Sequence, residues 1–271
     1  MKRSVDPLVT KSVTEAIGRA RSMRPATLAL LVGALSLPRV IETLRSFLIH
    51  EIGLRFGGIF DVIAQLLEFL SAVAWFVFGL VLIRYFWNDA RNSTTSLADA
   101  WSETVANWRT ILLVVLIVVL LYAAVGALGT AINAGLQALD WGYSGGVAWW
   151  ELAIVLPYYL GAMSVITATV LWSLPLAVIG QRGAVKVVKR SFAFTFRRPA
   201  SSLAAAGIVI LPPVIVIRVA TALVRGIWIA HLVVDIAATV LQLFSIVYLA
   251  TFLAAENNPV LENSDNKGEN E

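Results

Sequence analysis

The sequence predicts an all-α integral membrane protein: six transmembrane helices in three hairpins, with short cytoplasmic interfacial amphipathic helices leading into them. Three observations carry this expectation. Hydrophobic residues make up 59% of the 271 positions and charged residues only 14%, against about 45–50% and 25% in an ordinary soluble domain, and the mean hydropathy is +0.81. The apolar excess is gathered into stretches close to the ~20 residues that cross a hydrocarbon core. Between those stretches, basic residues fall unequally on alternate connecting segments, as they do when one side of a membrane retains them.

The spans follow in order. The first covers residues 26–48; its charge-free part ends at Pro38, and Arg39, Glu42 and Arg45 then recur every three residues along one helical face. The second, 62–83, carries Glu68 inside it. The third, 111–132, is dense in Leu and Val, and the fourth, 152–180, has no charge but holds Pro157 and Pro175. The fifth, 202–217, has Pro212 and Pro213 at its middle and is expected to kink there. The sixth runs over 236–255.

Sixteen basic residues lie before span one, between spans two and three, between four and five, or after six, whereas five lie on the other side: Arg39, Arg45, Arg55, Arg218 and Arg225. Both termini are therefore expected in the cytoplasm, with the chain as a multi-pass protein of the cell membrane. Trp87 and Trp108 then fall at the inner headgroup level, and Trp141, Trp149 and Trp150 at the outer one. Residues 1–255 read as one polytopic membrane domain, with 1–25 as a cytoplasmic amphipathic lead-in that is retained rather than cleaved. The tail 256–271 holds five acids against Lys267 and reads as disordered.

With no cysteine and only His50 and His231, the chain has no disulfide, no thiolate nucleophile and no His-rich or Cys-based metal site, while a site built purely from carboxylates stays open without a spacing motif to support it. It has no Gly-rich phosphate loop and no Ser elbow, so no catalytic constellation and no cofactor are expected. The Gly57-Gly58 and Gly145-Gly146 pairs read as turns, and the Asn92-Ser93-Thr94 sequon is idle at a cytoplasmic position. Ala123, Gly126, Ala127 and Thr130 place small residues on a helix-packing face of span three.

Three segments with a basic end precede the three hairpins: Ser12 to Arg24-Pro25, Ser96 to Arg109, and Gly183 to Arg198-Pro199. Arg24, Arg109 and Arg198 are 85 and 89 residues apart, which points to an internal repeat, although three unrelated interfacial helices would read alike. In the third segment Val185, Val188, Phe192 and Phe196 share one helical face, with Lys186, Arg190 and Arg197 grouped beside it. A helix of this kind lies in the membrane interface and binds anionic lipid or docks a partner; the other reading is a topology anchor. The run from Arg182 to Phe192, followed by Arg197-Arg198 and a span, resembles the interfacial element of the membrane domain found beside glycerophosphoryl diester phosphodiesterases and of similar six-span prokaryotic proteins. The resemblance implies an all-helical membrane domain, sometimes fused to a soluble phosphodiesterase. No segment here is long enough for that catalytic domain, so phosphodiester hydrolysis is not carried over.

Ionisable groups in spans are the remaining candidates, because each costs a few kcal/mol on insertion scales unless paired or hydrated. Glu68 is a proton or cation site, or else the partner of Arg39 or Arg45. Glu151, Arg218, Arg225, His231 and Asp235 lie near the outer boundary and read as topological. The expectation is a non-enzymatic membrane protein that organises lipid or partner proteins at the inner leaflet through Lys186, Arg190 and Arg197, with membrane lipids as partners and no nucleic acid. The alternative is a small transporter or channel component, its pathway near Glu68 and the proline-broken spans.

Overall fold

Runs of apolar residues uninterrupted by charge must satisfy their backbone groups internally where water is absent, and a helix does so within one segment. The computed structural model describes residues 7–50, 59–91, 93, 96–138, 151–223 and 228–256. Among the described residues there is no strand, and nearly all are helical. The helices are α1 (Pro7–Ser22), α2 (Pro25–His50), α3 (Ile59–Ala90), α4 (Leu97–Ala106), α5 (Trp108–Ala138), α6 (Leu156–Val170), α7 (Ser173–Val178), α8 (Ala184–Arg197), α9 (Pro199–Leu223) and α10 (Trp228–Glu256), with a π-helical turn at Glu151–Val155 before α6. The sequon positions Asn92 and Thr94, the outer tryptophans Trp141, Trp149 and Trp150, both Gly-Gly pairs, Arg55, Arg225 and the tail from 257 onward lie outside the described residues.

Among the described residues, three stretches are long and apolar enough to cross a membrane: Ala72–Ala90 in α3, all of α5, and Ala230–Glu256 in α10. The other apolar stretches, Pro25–Leu37, Ser164–Val178 and Pro199–Pro213, are shorter. On α5, Leu112, Leu113, Leu116, Val119, Leu120 and Leu128 are each 53–58% exposed, forming an apolar side far larger than a water-facing helix carries. Lipid is the solvent such a surface fits.

The chain forms two compact units, 1–104 with 204–271 and 105–203. In the first, α10 is central and packs on α1, α2 and α3. Its last turns are buried nearly all round, with Val247, Tyr248, Ala250 and Phe252 fully inside, against Leu80, Val81 and Leu82 of α3 and Leu35 of α2 in the same core. In the second, α5 packs on α6, α7 and α8, and α8 packs on both α6 and α7. Trp172 and Val187 are fully buried there, and Trp172 meets the ring of Phe194 edge-on at 5.1 Å between centroids.

Proline explains two departures from uniform rods. Residues 152–180, expected as one span, are divided into the π turn, α6 and α7. Pro157 follows the π turn and Pro175 falls in the first turn of α7, where a missing N–H breaks no helical bond. By contrast, α9 runs on through Pro212 and Pro213 as one helix. The two prolines leave the carbonyls four residues earlier, those of Ile208 and Val209, without their helical donors. The Ser245 hydroxyl of α10 donates to the Val209 carbonyl at 3.1 Å and also lies 2.9 Å from the Leu241 carbonyl of its own helix. A buried serine from the neighbouring helix thus replaces a donor that proline cannot supply.

Each of the three segments holds a short helix, α1, α4 or α8, that leads into a longer one, α2, α5 or α9. α2 and α9 both begin with proline at their first position, after Arg24 and Arg198, whose carbonyls accept from Leu28 and Ser202 at 3.0 Å. All three short helices turn small residues inward at four-residue spacing: Ser12 and Ala16, Ala100 and Thr104, Ser191 and Thr195.

Candidate functional site

The basic helix α8 is set in place by the turn before it. α7 ends in a Schellman motif: Gly180 has φ of 98°, its N–H reaches the Ala177 carbonyl, and the Gln181 N–H reaches that of Leu176. Gly183, with φ of 89°, caps the start of α8. Both conformations lie in the left-handed region that a side chain disfavours, so this reversal is tied to glycine.

α8 then docks through its smallest residues. Ala184, Val187, Val188, Ser191 and Thr195 are buried. The last carbonyls of α6 have no partner within their own helix, and α8 supplies two: Thr195 Oγ1 donates to the Ala168 carbonyl at 3.1 Å, and Ser191 Oγ donates to that of Thr169. The break between α6 and α7 is therefore capped by hydroxyls of the basic helix. α6 is also tied to α5, with Tyr122 OH and Thr167 Oγ1 2.8 Å apart and Tyr158 OH donating to the Val125 carbonyl at 3.1 Å.

At 3.6 residues per turn, the rest of α8 sorts into two flanks. Next to the buried line come Phe192, half-buried, then Val185 and Phe196, 60% and 68% exposed; the Phe192 and Phe196 rings stack at 6.4 Å. Lys189 follows at the border, and Lys186, Arg197 and Arg190 occupy the far side, all four exposed. The expected apolar face is corrected in one member: Val188 is 9% exposed and points into the protein. The inward line belongs to Ser191 and Thr195, whose small polar side chains allow close helix approach where bulkier apolar residues do not. Lys189 joins the three basic residues that the sequence singled out.

Glu68 falls on α3, and Arg39 and Arg45 on α2; their side chains, with those of Glu42, Glu151 and Arg218, are outside the described residues. Near them, Thr43 of α2 donates to Asp235 of α10 at 2.8 Å, giving Asp235 a partner that composition did not reveal.

A second polar group gathers at the end of α3. Arg19 of α1 pairs with Asp89, Arg84 pairs with Glu103 of α4, and Asn88 donates to Glu103 at 3.1 Å. Burial works to raise the Glu103 pKa, but the hydrogen bonds from Asn88 and Arg84 and the Arg84 charge outweigh it and hold the carboxyl below its ordinary value. Ser96 and Asp99 form a capping box at the start of α4: the Ser96 hydroxyl and N–H both donate to Asp99, and the Asp99 N–H returns to the hydroxyl at 3.1 Å. Those bonds, the hydroxyl's first, lower the pKa of Asp99. The Ser-x-x-Asp spacing was the available signal for this cap. Nothing in the sequence signalled the Arg19 and Arg84 pairs, whose partners lie 70 and 19 residues away.

Comparison with known proteins brings no match: no family model, no curated protein and no solved structure is similar to this chain.

Proposed function

We propose that this chain is a non-enzymatic multi-pass protein of a prokaryotic cell membrane. In this reading it has six spans in three hairpins and both termini in the cytoplasm, and it organises anionic lipid, or a partner protein held with that lipid, at the inner leaflet. The observation that carries the proposal is the division of α8 into an exposed aromatic flank and an exposed basic flank on a helix whose third side is fastened to the protein. Such a helix rests its apolar flank about 5–10 Å into the headgroup boundary, while each basic side chain gains about 1 kcal/mol from an anionic surface. In the test, the full-length chain is extracted gently and its co-purified lipids are quantified, alongside a Lys186→Gln, Arg190→Gln, Arg197→Gln variant. Enrichment of anionic over zwitterionic lipid that the variant loses supports the reading; equal lipid profiles overturn it.

A second reading has one observation in its favour. The division of 151–178 into a π turn and two helices resembles the broken helices that line transport pathways, and Glu68 would serve as the coupling group. Neutralising Glu68 would then abolish a flux in proteoliposomes while leaving the folded fraction unchanged.

A further inference from the structure

At the end of α3 two guanidinium groups lie over one indole and a third reaches Asp89 and Ala90 from α1, and the carboxylates there serve only two of the three. Arg19 is paired with Asp89 and Arg84 with Glu103. Arg91 is exposed, and its guanidinium carbon lies 4.9 Å from the centroid of Trp87, the same distance as that of Arg84 from the same ring. Two like charges are thus held over one indole. Two further donors point the same way. Trp87 Nε1 and Arg19 Nε are buried and donate to no acceptor among the described residues, while the Nη1 of Arg19 is taken by Asp89 and its Nη2 reaches the Ala90 carbonyl at 3.5 Å. Buried N–H groups are nearly always satisfied, and a planar guanidinium stacked on an aromatic ring is oriented to offer its fork to an oxyanion.

We propose that Arg91, Trp87 and Arg19 form a binding site for an anionic phosphate group, held rigid by the Arg84–Glu103–Asn88 bonds behind the indole. Two guanidinium groups share the indole, and the Trp87 Nε1 and Arg19 Nε donors lack acceptors among the described residues. That arrangement suits a phospholipid headgroup at the end of a span, or free phosphate. The site takes none of its residues from α8 and does not depend on the orientation of the chain in the membrane.

The test uses the chain in neutral detergent, delipidated and carrying Lys186→Gln, Lys189→Gln, Arg190→Gln and Arg197→Gln, so that the basic flank of α8 makes no contribution. It is titrated by native mass spectrometry with dihexanoyl phosphatidylglycerol, inorganic phosphate and dihexanoylglycerol. Adding Arg91→Gln is expected to weaken the anionic probe about tenfold, the loss of one charge-assisted contact, with Arg91→Lys falling between. Dihexanoylglycerol, lacking phosphate, should not respond. Binding of the lipid alone identifies a headgroup site, and binding of inorganic phosphate alone identifies a site for the free anion; in either case the Arg91 dependence supports the proposal. Equal affinity with and without Arg91→Gln, or binding of neither anion, overturns it. If this site fails while the α8 substitutions still remove co-purified anionic lipid, the α8 reading stands alone.

Discussion

Replacing Ser245 with Ala removes the hydroxyl that reaches the Val209 carbonyl, and the consequence should depend on whether proline stands at 213. Ser245 is 5% exposed, so water cannot replace the lost donor. An unsatisfied buried acceptor costs about 1–3 kcal/mol in soluble proteins, and hydrogen bonds between membrane helices average about 0.6 and reach about 1.7 kcal/mol. Ser245→Ala is therefore expected to lower stability by about 1 kcal/mol. Pro213→Ala restores an N–H that can serve Val209 within α9, so the same Ser245→Ala change in that background should cost only a few tenths of a kcal/mol. The assay is a double-mutant cycle on reversible unfolding in mixed micelles of increasing denaturing-detergent fraction, followed by circular dichroism. An equal cost in both backgrounds would refute the argument, because Ser245 would then act only through its bond to Leu241.

Three other outcomes are expected. Ser191→Ala with Thr195→Val should destabilise by about 1–2 kcal/mol and raise hydrogen exchange in α8 without changing total helix content, whereas exposed Ser102→Ala should change neither. Glu103 is held below its ordinary pKa of 4.5, so its contribution is fully present above that value and is lost as pH falls through the lower folded value; Glu103→Gln should flatten stability against pH in that acidic window and leave higher pH unchanged in slope. Topology reporters fused at residues 145 and 190 should fall on opposite sides of the membrane, and a common side would remove the six-span arrangement.

Much of the helical plan is readable from charge-free runs, because the pattern and the solvent agree: residues 26–38 lie within α2 and 111–132 within α5. Less readable is where a rod breaks. Pro175 and Pro213 present the same missing N–H to a reader of sequence, yet one falls in the first turn of a new helix and the other is bypassed inside α9. The difference lies in Ser245, 32 residues further on, which no local pattern connects to Val209. The same limit applies to α8. A helical wheel ranks faces by hydrophobicity and so directs Val188 toward the membrane, but close packing selects Ser191 and Thr195 for the protein side because small residues and spare hydroxyls suit exposed helix ends. The basic flank was legible because Lys186, Arg190 and Arg197 have no apolar surface to compete for. The cluster around Trp87 was not, since its members come from α1, α3 and α4 and meet only in three dimensions.

The chain contains no cysteine, so single cysteines can be introduced into α8 without background. Spin labels at Val185→Cys, Phe196→Cys, Lys186→Cys and Arg197→Cys, in the protein reconstituted in anionic bilayers, report depth by their relative accessibility to oxygen and to a water-soluble nickel complex. The expected result is that labels at 185 and 196 lie in the headgroup and upper acyl region while those at 186 and 197 remain in cytoplasmic water. Four labels at the same aqueous depth would contradict the placement of α8 on the inner leaflet and, with it, the proposed role in organising lipid.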